Sequence, residues 1–169
     1  MANIELLVPK ILQWEGGFVN DPVDRGGTTN KGITIATFRT VFGKDKTVED
    51  LKALTDEQFM IVLKRYYWDR WRADEIVNQS VAEILVDWVW GSGKWGIIIP
   101  QRILNTDDDG VVGPITIAIL NEWDQVRVHD RIKEARYSFI NELILNHPEQ
   151  ERFRKGWKNR INSYLYSEL

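Results

Sequence analysis

The sequence predicts a mainly α fold, interrupted once by a small β-hairpin or ordered loop at about residues 16–33. Three observations carry this. Apolar residues recur at helical spacing along most of the chain. Capping signatures open several of those stretches, as in Thr55-x-x-Gln58 and Ser80-x-x-Glu83. Five of the twelve glycines fall between Gly16 and Gly32. At 169 residues the chain is long enough to bury roughly 70% of its extended surface.

Ile4, Leu7, Val8, Ile11 and Leu12 share one helical face, and Asn3 can cap its start. Pro9 predicts a kink there, or two short pieces. Gly16-Gly17 should end the helix. In the glycine-rich stretch, Phe18-Val19 and Thr28-Thr29 are expected as two short strands around a turn at Asp24-Arg25-Gly26-Gly27. Thr34 can cap a helix to about 42, and Thr47 with Asp50 opens a short one. The box at Thr55 starts a helix running through 71, and the box at Ser80 one through about 90. Further helices are expected at 98–104, 114–123 and 124–146, and a last one, after Pro148, at 149–166. A weak boundary at 73–79 divides an N-terminal lobe, 1–75, from a helical lobe, 76–169, the two packing as one unit.

Composition excludes several classes. Without cysteine there are no disulfides or thiolate metal sites. His129 and His147 lie far apart with no ligand spacing around them, so no metal or other cofactor is implied. A net charge of −3 argues against a general nucleic-acid binder. No apolar run is long enough to span a bilayer. Glu5, Pro9 and Lys10 interrupt any signal-peptide core, so the chain is expected to be made in the cytoplasm and to act elsewhere only after release.

Glu15 is the first candidate for chemistry. It stands where the first helix meets Gly16-Gly17, and the negative end of a helix disfavours a charged carboxylate. That effect is worth only about 0.3–1 kcal/mol, so desolvation by neighbours such as Trp14 would have to supply the rest. A carboxyl that holds its proton near neutral pH suits cleavage of a glycosidic bond; the plain alternative is a solvated helix-end residue. Asp24, nine positions on, is the second carboxylate, with Asp21 as competitor. Such a partner acts as nucleophile at about 5–5.5 Å or as base at about 6.5–9.5 Å. Alternatively, both aspartates only initiate turns. Thr28 or Thr29 can hold an attacking water, or face a neighbouring strand.

The run from Trp14 to Thr34, with Glu15-Gly16-Gly17 and Asp21-Pro-Val-Asp24-Arg-Gly-Gly27, resembles the signature of glycoside hydrolase family 108. These are phage and bacterial N-acetylmuramidases, some labelled secretion-activating proteins. The resemblance implies a lysozyme-like helical fold and makes Glu15 the catalytic acid. The spacing is also similar to that of phage-type lysozymes, whose third site position falls here on Asn30, with Thr29 one earlier. Farther on, Asp109-Gly-Val-Val-Gly-Pro-Ile-Thr116, preceded by Gln101-x-x-Leu-Asn105, resembles an element of peptidoglycan-binding domains, where it reads as a turn and a helix start. Relatives carry Tyr-Trp at Tyr67-Trp68, which suggests cleft residues. In Asp87-Trp-Val-Trp-Gly91, Asp87 is kept as a substrate-binding candidate, but Gly91 stands where relatives carry asparagine, so no sugar contact is implied at Gly91.

Other signals are weaker. Asn105-x-Asp107-x-Asp109-Gly110 opens like a calcium loop but ends on Thr116, with Pro114 intervening. Gly27-x4-Gly32 lacks the lysine of a phosphate loop, and Ser92 has no histidine partner in sight. Trp88 falls at core spacing with Val81, Ile84 and Leu85. Residues 151–160 sum to +4, either a solvated helix face or, through 152–160, a contact for anionic wall polymer. The expectation is a monomeric peptidoglycan hydrolase acting on glycan strands, with Glu15, Asp24 and Thr29 catalytic and Thr28, Asn30, Tyr67, Trp68 and Asp87 binding substrate. A lytic transglycosylase on the same scaffold and a non-catalytic wall-binding or secretion-associated protein are the alternatives.

Overall fold

The computed structural model describes residues 1–20 and 27–168. Among them the fold is mainly α, with one two-stranded antiparallel sheet. The chain divides into two compact units, one of Ile4–Tyr66, the other of Met1–Asn3 and the residues from Tyr67 onward.

In the first unit, α1 (Ile4–Leu12) buries Leu7, Val8 and Ile11 and packs on α4 (Asp56–Leu63), which contributes Phe59, Val62 and Leu63. Pro9 lies on the exposed side of α1, and the helix continues past it to Leu12 as one piece. The hairpin pairs β1 (Thr29–Asn30) with β2 (Ile33–Thr34), matching Thr29 to Thr34 and Asn30 to Ile33. Its turn is Lys31-Gly32; the turn expected at Asp24–Gly27 falls largely on residues outside the described ones. Both turn residues have positive φ, 50° and 80°, the mirror-image turn whose twist suits a tight hairpin. Val19 joins Thr29 by a single bridge. Thr34 caps α2 (Ile35–Phe42) through its side chain, and Thr47 and Asp50 form the capping box of α3 (Val48–Lys52). The Thr55–Gln58 box opens α4, but the helix does not run on to 71. It widens into a π turn at Lys64–Trp68 and tightens into a 3-10 turn at Asp69–Trp71.

The second unit is built around α5 (Gln79–Ser92). Every side chain from Ser80 to Val89 is buried, as for a helix enclosed on all sides. Its cap is Asn78, whose Oδ1 accepts from Val81 N at 3.0 Å; Ser80 instead bonds the backbone of Ser167. α6 (Trp95–Leu104) follows at close range. A Cβ on Gly96 would lie 2.6 Å from Val89 N, so only glycine allows the approach. α7 (Pro114–Glu122) starts on its proline, and Asp124 caps α8 (Gln125–Asn146). α8 packs on α5 and on α9 (Arg154–Ser163). The last expected helix is divided, its first turns being 3-10 at Pro148–Phe153. Ala2 N donates to Ile76 O and Asn3 exchanges two bonds with Gln79, which holds the N-terminus on this unit.

Candidate active site

In the first unit, Trp14 and Glu15 donate from their backbone N–H groups to Ile11 O and Leu12 O, closing the end of α1. Glu15 is half-buried, whereas Trp14, the expected desolvating neighbour, is 37% exposed. Four residues beyond Glu15, Val19 and Thr29 exchange both backbone hydrogen bonds, at 2.8 and 2.9 Å. Thr28 Oγ1 donates to Asn20 Oδ1 at 2.8 Å beside that pair. These contacts join the two segments that flank residues 21–26. Asp21 and Asp24 themselves lie outside the described residues.

Strand alternation sorts the candidates on β1 and beside it. Thr28 and Asn30 are buried, and Thr29, between them, is half-buried. Asn30 Nδ2 donates to Leu51 O and Lys52 O at 2.9 and 3.3 Å. That amide fastens the hairpin to the end of α3 and is not presented to a sugar. Thr28 is likewise committed to Asn20. Thr29 alone of the three keeps partial exposure.

Three candidates belong to the second unit. Tyr67 is half-buried, its ring 4.7 Å from that of Trp90. Trp68 has no exposed surface, and its Nε1 donates to Asp74 at 2.8 Å, so it is a core residue and not a cleft wall. Asp87 is also fully buried. Arg136 Nη2 donates to it at 2.9 Å, Arg160 Nη2 at 2.7 Å and Tyr164 Oη at 2.8 Å. Burial alone would push the Asp87 carboxyl up, but the two guanidiniums outweigh it and hold it below the ordinary range. Burial, then the Asp87 charge, pushes the Tyr164 phenol far up. Asp87 therefore locks α5, α8 and α9 together and does not reach a sugar directly.

Sequence reasoning missed this cluster, yet a signal was present. Val128, Ile132, Arg136, Ile140 and Ile144 form one stripe of α8, and a charge in an apolar stripe needs a buried counter-charge. Arg160 turns inward to Asp87, so not every cation of 152–160 lies on a solvated face; Arg154 pairs with Glu151 on the surface. The Asp109-Gly110 turn is organised by Gln101. Its Nε2 donates to Asp109 Oδ1 and Val111 O, and its Oε1 accepts from Gly110 N. That gives the Gln101…Asp109-Gly110 element a structural role.

Residues 8–93 match the family model described as Glycosyl hydrolase 108, and residues 95–162 that of a Predicted Peptidoglycan domain. No curated protein matches the chain. Among solved structures, SagA of Brucella abortus superposes with a TM-score of 0.77 at 28% identity, over 95% of this chain and 90% of that one. That likeness agrees with the expected mainly α, lysozyme-like architecture.

Proposed function

This chain belongs to the glycosyl hydrolase 108 family, and on that premise we propose that it is an N-acetylmuramidase, a lysozyme that hydrolyses the β-1,4 bond between N-acetylmuramic acid and N-acetylglucosamine. The match of residues 95–162 to a peptidoglycan domain supports peptidoglycan as the partner. The observation that carries the mechanism is the Val19–Thr29 pairing. It returns the threonine strand to the segment that leaves α1 just after Glu15.

In this mechanism Glu15 gives its proton to the leaving glycosidic oxygen. Glu15 is half-buried, and the bound sugar completes its desolvation by excluding water. Asp24 supports the developing oxocarbenium charge or takes a proton from water. Thr29 orients that water, because the Thr28 hydroxyl is already donated to Asn20. No described helix is long and apolar enough to cross a membrane, and in this reading the chain meets the wall as a monomer after release from the cytoplasm.

Digestion of purified sacculi followed by mass spectrometry tests the reaction. Hydrolysis yields muropeptides with a reducing muramic acid. Anhydro products, one water lighter, would make the chain a lytic transglycosylase. Binding to sacculi without release of fragments would make it a wall-binding protein.

A further inference from the structure

Among the eight tryptophans of the chain, Trp14 stands apart. Trp68 and Trp71 donate their indole N–H groups to Asp74 and to Gly96 O, at 2.8 and 3.2 Å. Trp88, Trp90 and Trp157 lie against another aromatic ring, and a lysine or arginine sits over the rings of Trp95 and Trp123. Trp14 has no ring contact, no cation over its face and no acceptor for its indole N–H among the described residues. It is exposed on the turn that closes α1, outside the core that Leu7, Val8 and Ile11 build from the same helix.

The chain beside it is open and almost without charge. Gly16 and Gly17 are exposed, and an added Cβ on either would meet nothing within 4 Å. Val19 is exposed as well. From Ile11 to Asn20 the one ionisable side chain is Glu15. Lys52, at the end of α3, packs over Phe18 and not over Trp14. A bare indole offers a flat apolar face and one N–H donor at its edge. The ligand that complements it is neutral, with C–H bonds on its faces and hydroxyl or acetamido acceptors around its rim. An N-acetylated pyranose has that form.

We propose that Trp14 is a substrate-binding residue whose indole stacks on the N-acetylated sugar adjoining the bond that Glu15 cleaves. The proposal rests on the reading of the chain as a muramidase, and it adds the residue that holds the glycan beside the acid. Consecutive Cα atoms are about 3.8 Å apart. A sugar held by Trp14 and the bond acted on by Glu15 therefore belong to neighbouring units of one strand.

The test separates stacking from the desolvating role that the sequence suggests for Trp14. The binding probe is tetra-N-acetylchitotetraose, titrated into the full chain and into Trp14→Ala and Trp14→Tyr. Both variants should keep the thermal midpoint, because the side chain is exposed. In the unaltered chain the probe should shift the Trp14 indole N–H resonance, a readout independent of any variant's folding. Trp14→Ala should weaken binding about tenfold, the scale of a lost aromatic anchor, and Trp14→Tyr, which keeps an aromatic face, should retain most of it. On soluble glycan strands Trp14→Ala should raise KM by a similar factor and leave kcat and its pH profile unchanged, the signature of lost uniform binding. An unshifted indole or undiminished binding by Trp14→Ala would overturn the proposal. So would a fall in kcat with the alkaline limb moved to lower pH, which would make Trp14 a residue that acts through Glu15. Glu15→Gln leaves the indole in place and should bind chitotetraose like the unaltered chain. Binding at Trp14 without cleavage of any glycan would therefore overturn the muramidase reading and support the stacking, and cleavage untouched by Trp14→Ala would do the reverse.

Discussion

At Asn30 a single side-chain amide holds the hairpin to α3 through two carbonyls. Asn30→Ala would leave the Leu51 and Lys52 carbonyls without that donor, at a cost of about 1–3 kcal/mol. The expected result is a lower thermal midpoint, measured by circular dichroism, with the chemistry of the folded fraction retained. An unchanged midpoint would return Asn30 to the list of substrate contacts. Asp87 is a larger case. Asp87→Asn would remove the counter-charge of the buried Arg136 and the partly buried Arg160, a change worth about 3–5 kcal/mol. The sign of its pH dependence follows from the direction of its shift. The folded carboxyl titrates below the unfolded one, so its contribution is present above about pH 3.9 and fades as pH falls further. Denaturant titrations at descending pH should therefore show a shallower acid limb in the variant. The Asp87–Arg pairing could not be read from local sequence, because its members lie 49 and 73 positions apart. Only the misplaced charge in the α8 stripe announced it.

Local chemistry wrote most helix starts plainly. Thr34, Thr47, Thr55, Pro114 and Asp124 open their helices as their side chains dictate. Two elements were less legible because tertiary contacts outweighed a local motif. Ser80-x-x-Glu83 has the form of a capping box, yet Ser80 is drawn to the C-terminal tail and Asn78 does the capping. Asn78→Ala should accordingly cost about 1–2 kcal/mol, typical of a lost cap, and Ser80→Ala less; urea midpoints of the two variants decide between them, and the reverse order would restore Ser80 as the cap. The expected return of Val19 onto Thr29 is present as a bridge, but the pairing of Thr29–Asn30 with Ile33–Thr34 was not foreseen. Gly26-Gly27 is the more obvious turn sequence, whereas Lys31-Gly32 becomes one only when Asn30 is anchored to α3 and Ile33 is buried. The π turn at Lys64–Trp68 has no local signature at all. It places Tyr67 against Trp90 and sinks Trp68 into the core.

For the molecule as a whole, mainly helical class and family were legible because caps, helical periodicity and the Glu15–Gly27 motif are all local. Division at Tyr66 was not, since it falls inside a continuous run of helical turns. Global stability should carry a signature of His129. This side chain is 2% exposed, and neither ring nitrogen has a hydrogen-bond partner among the described residues. Burial chiefly, and Lys133 to a lesser degree, lower its proton affinity against the opposing pull of Asp130. The folded chain therefore keeps it neutral while the unfolded chain takes up a proton below about pH 6.5. Stability should fall as pH drops from about 6.5 towards the folded value, by up to about 1.4 kcal/mol per pH unit. His129→Leu should flatten that part of the profile, and an equally steep profile would refute it. The central claim concerns catalysis by the whole chain. Its most direct test is the rate at which Glu15→Gln releases reducing ends from sacculi, measured beside its thermal midpoint. An unchanged midpoint with a loss of about 100-fold or more, the usual contribution of a general acid, is the predicted result; a folded variant that digests sacculi at the original rate would contradict it.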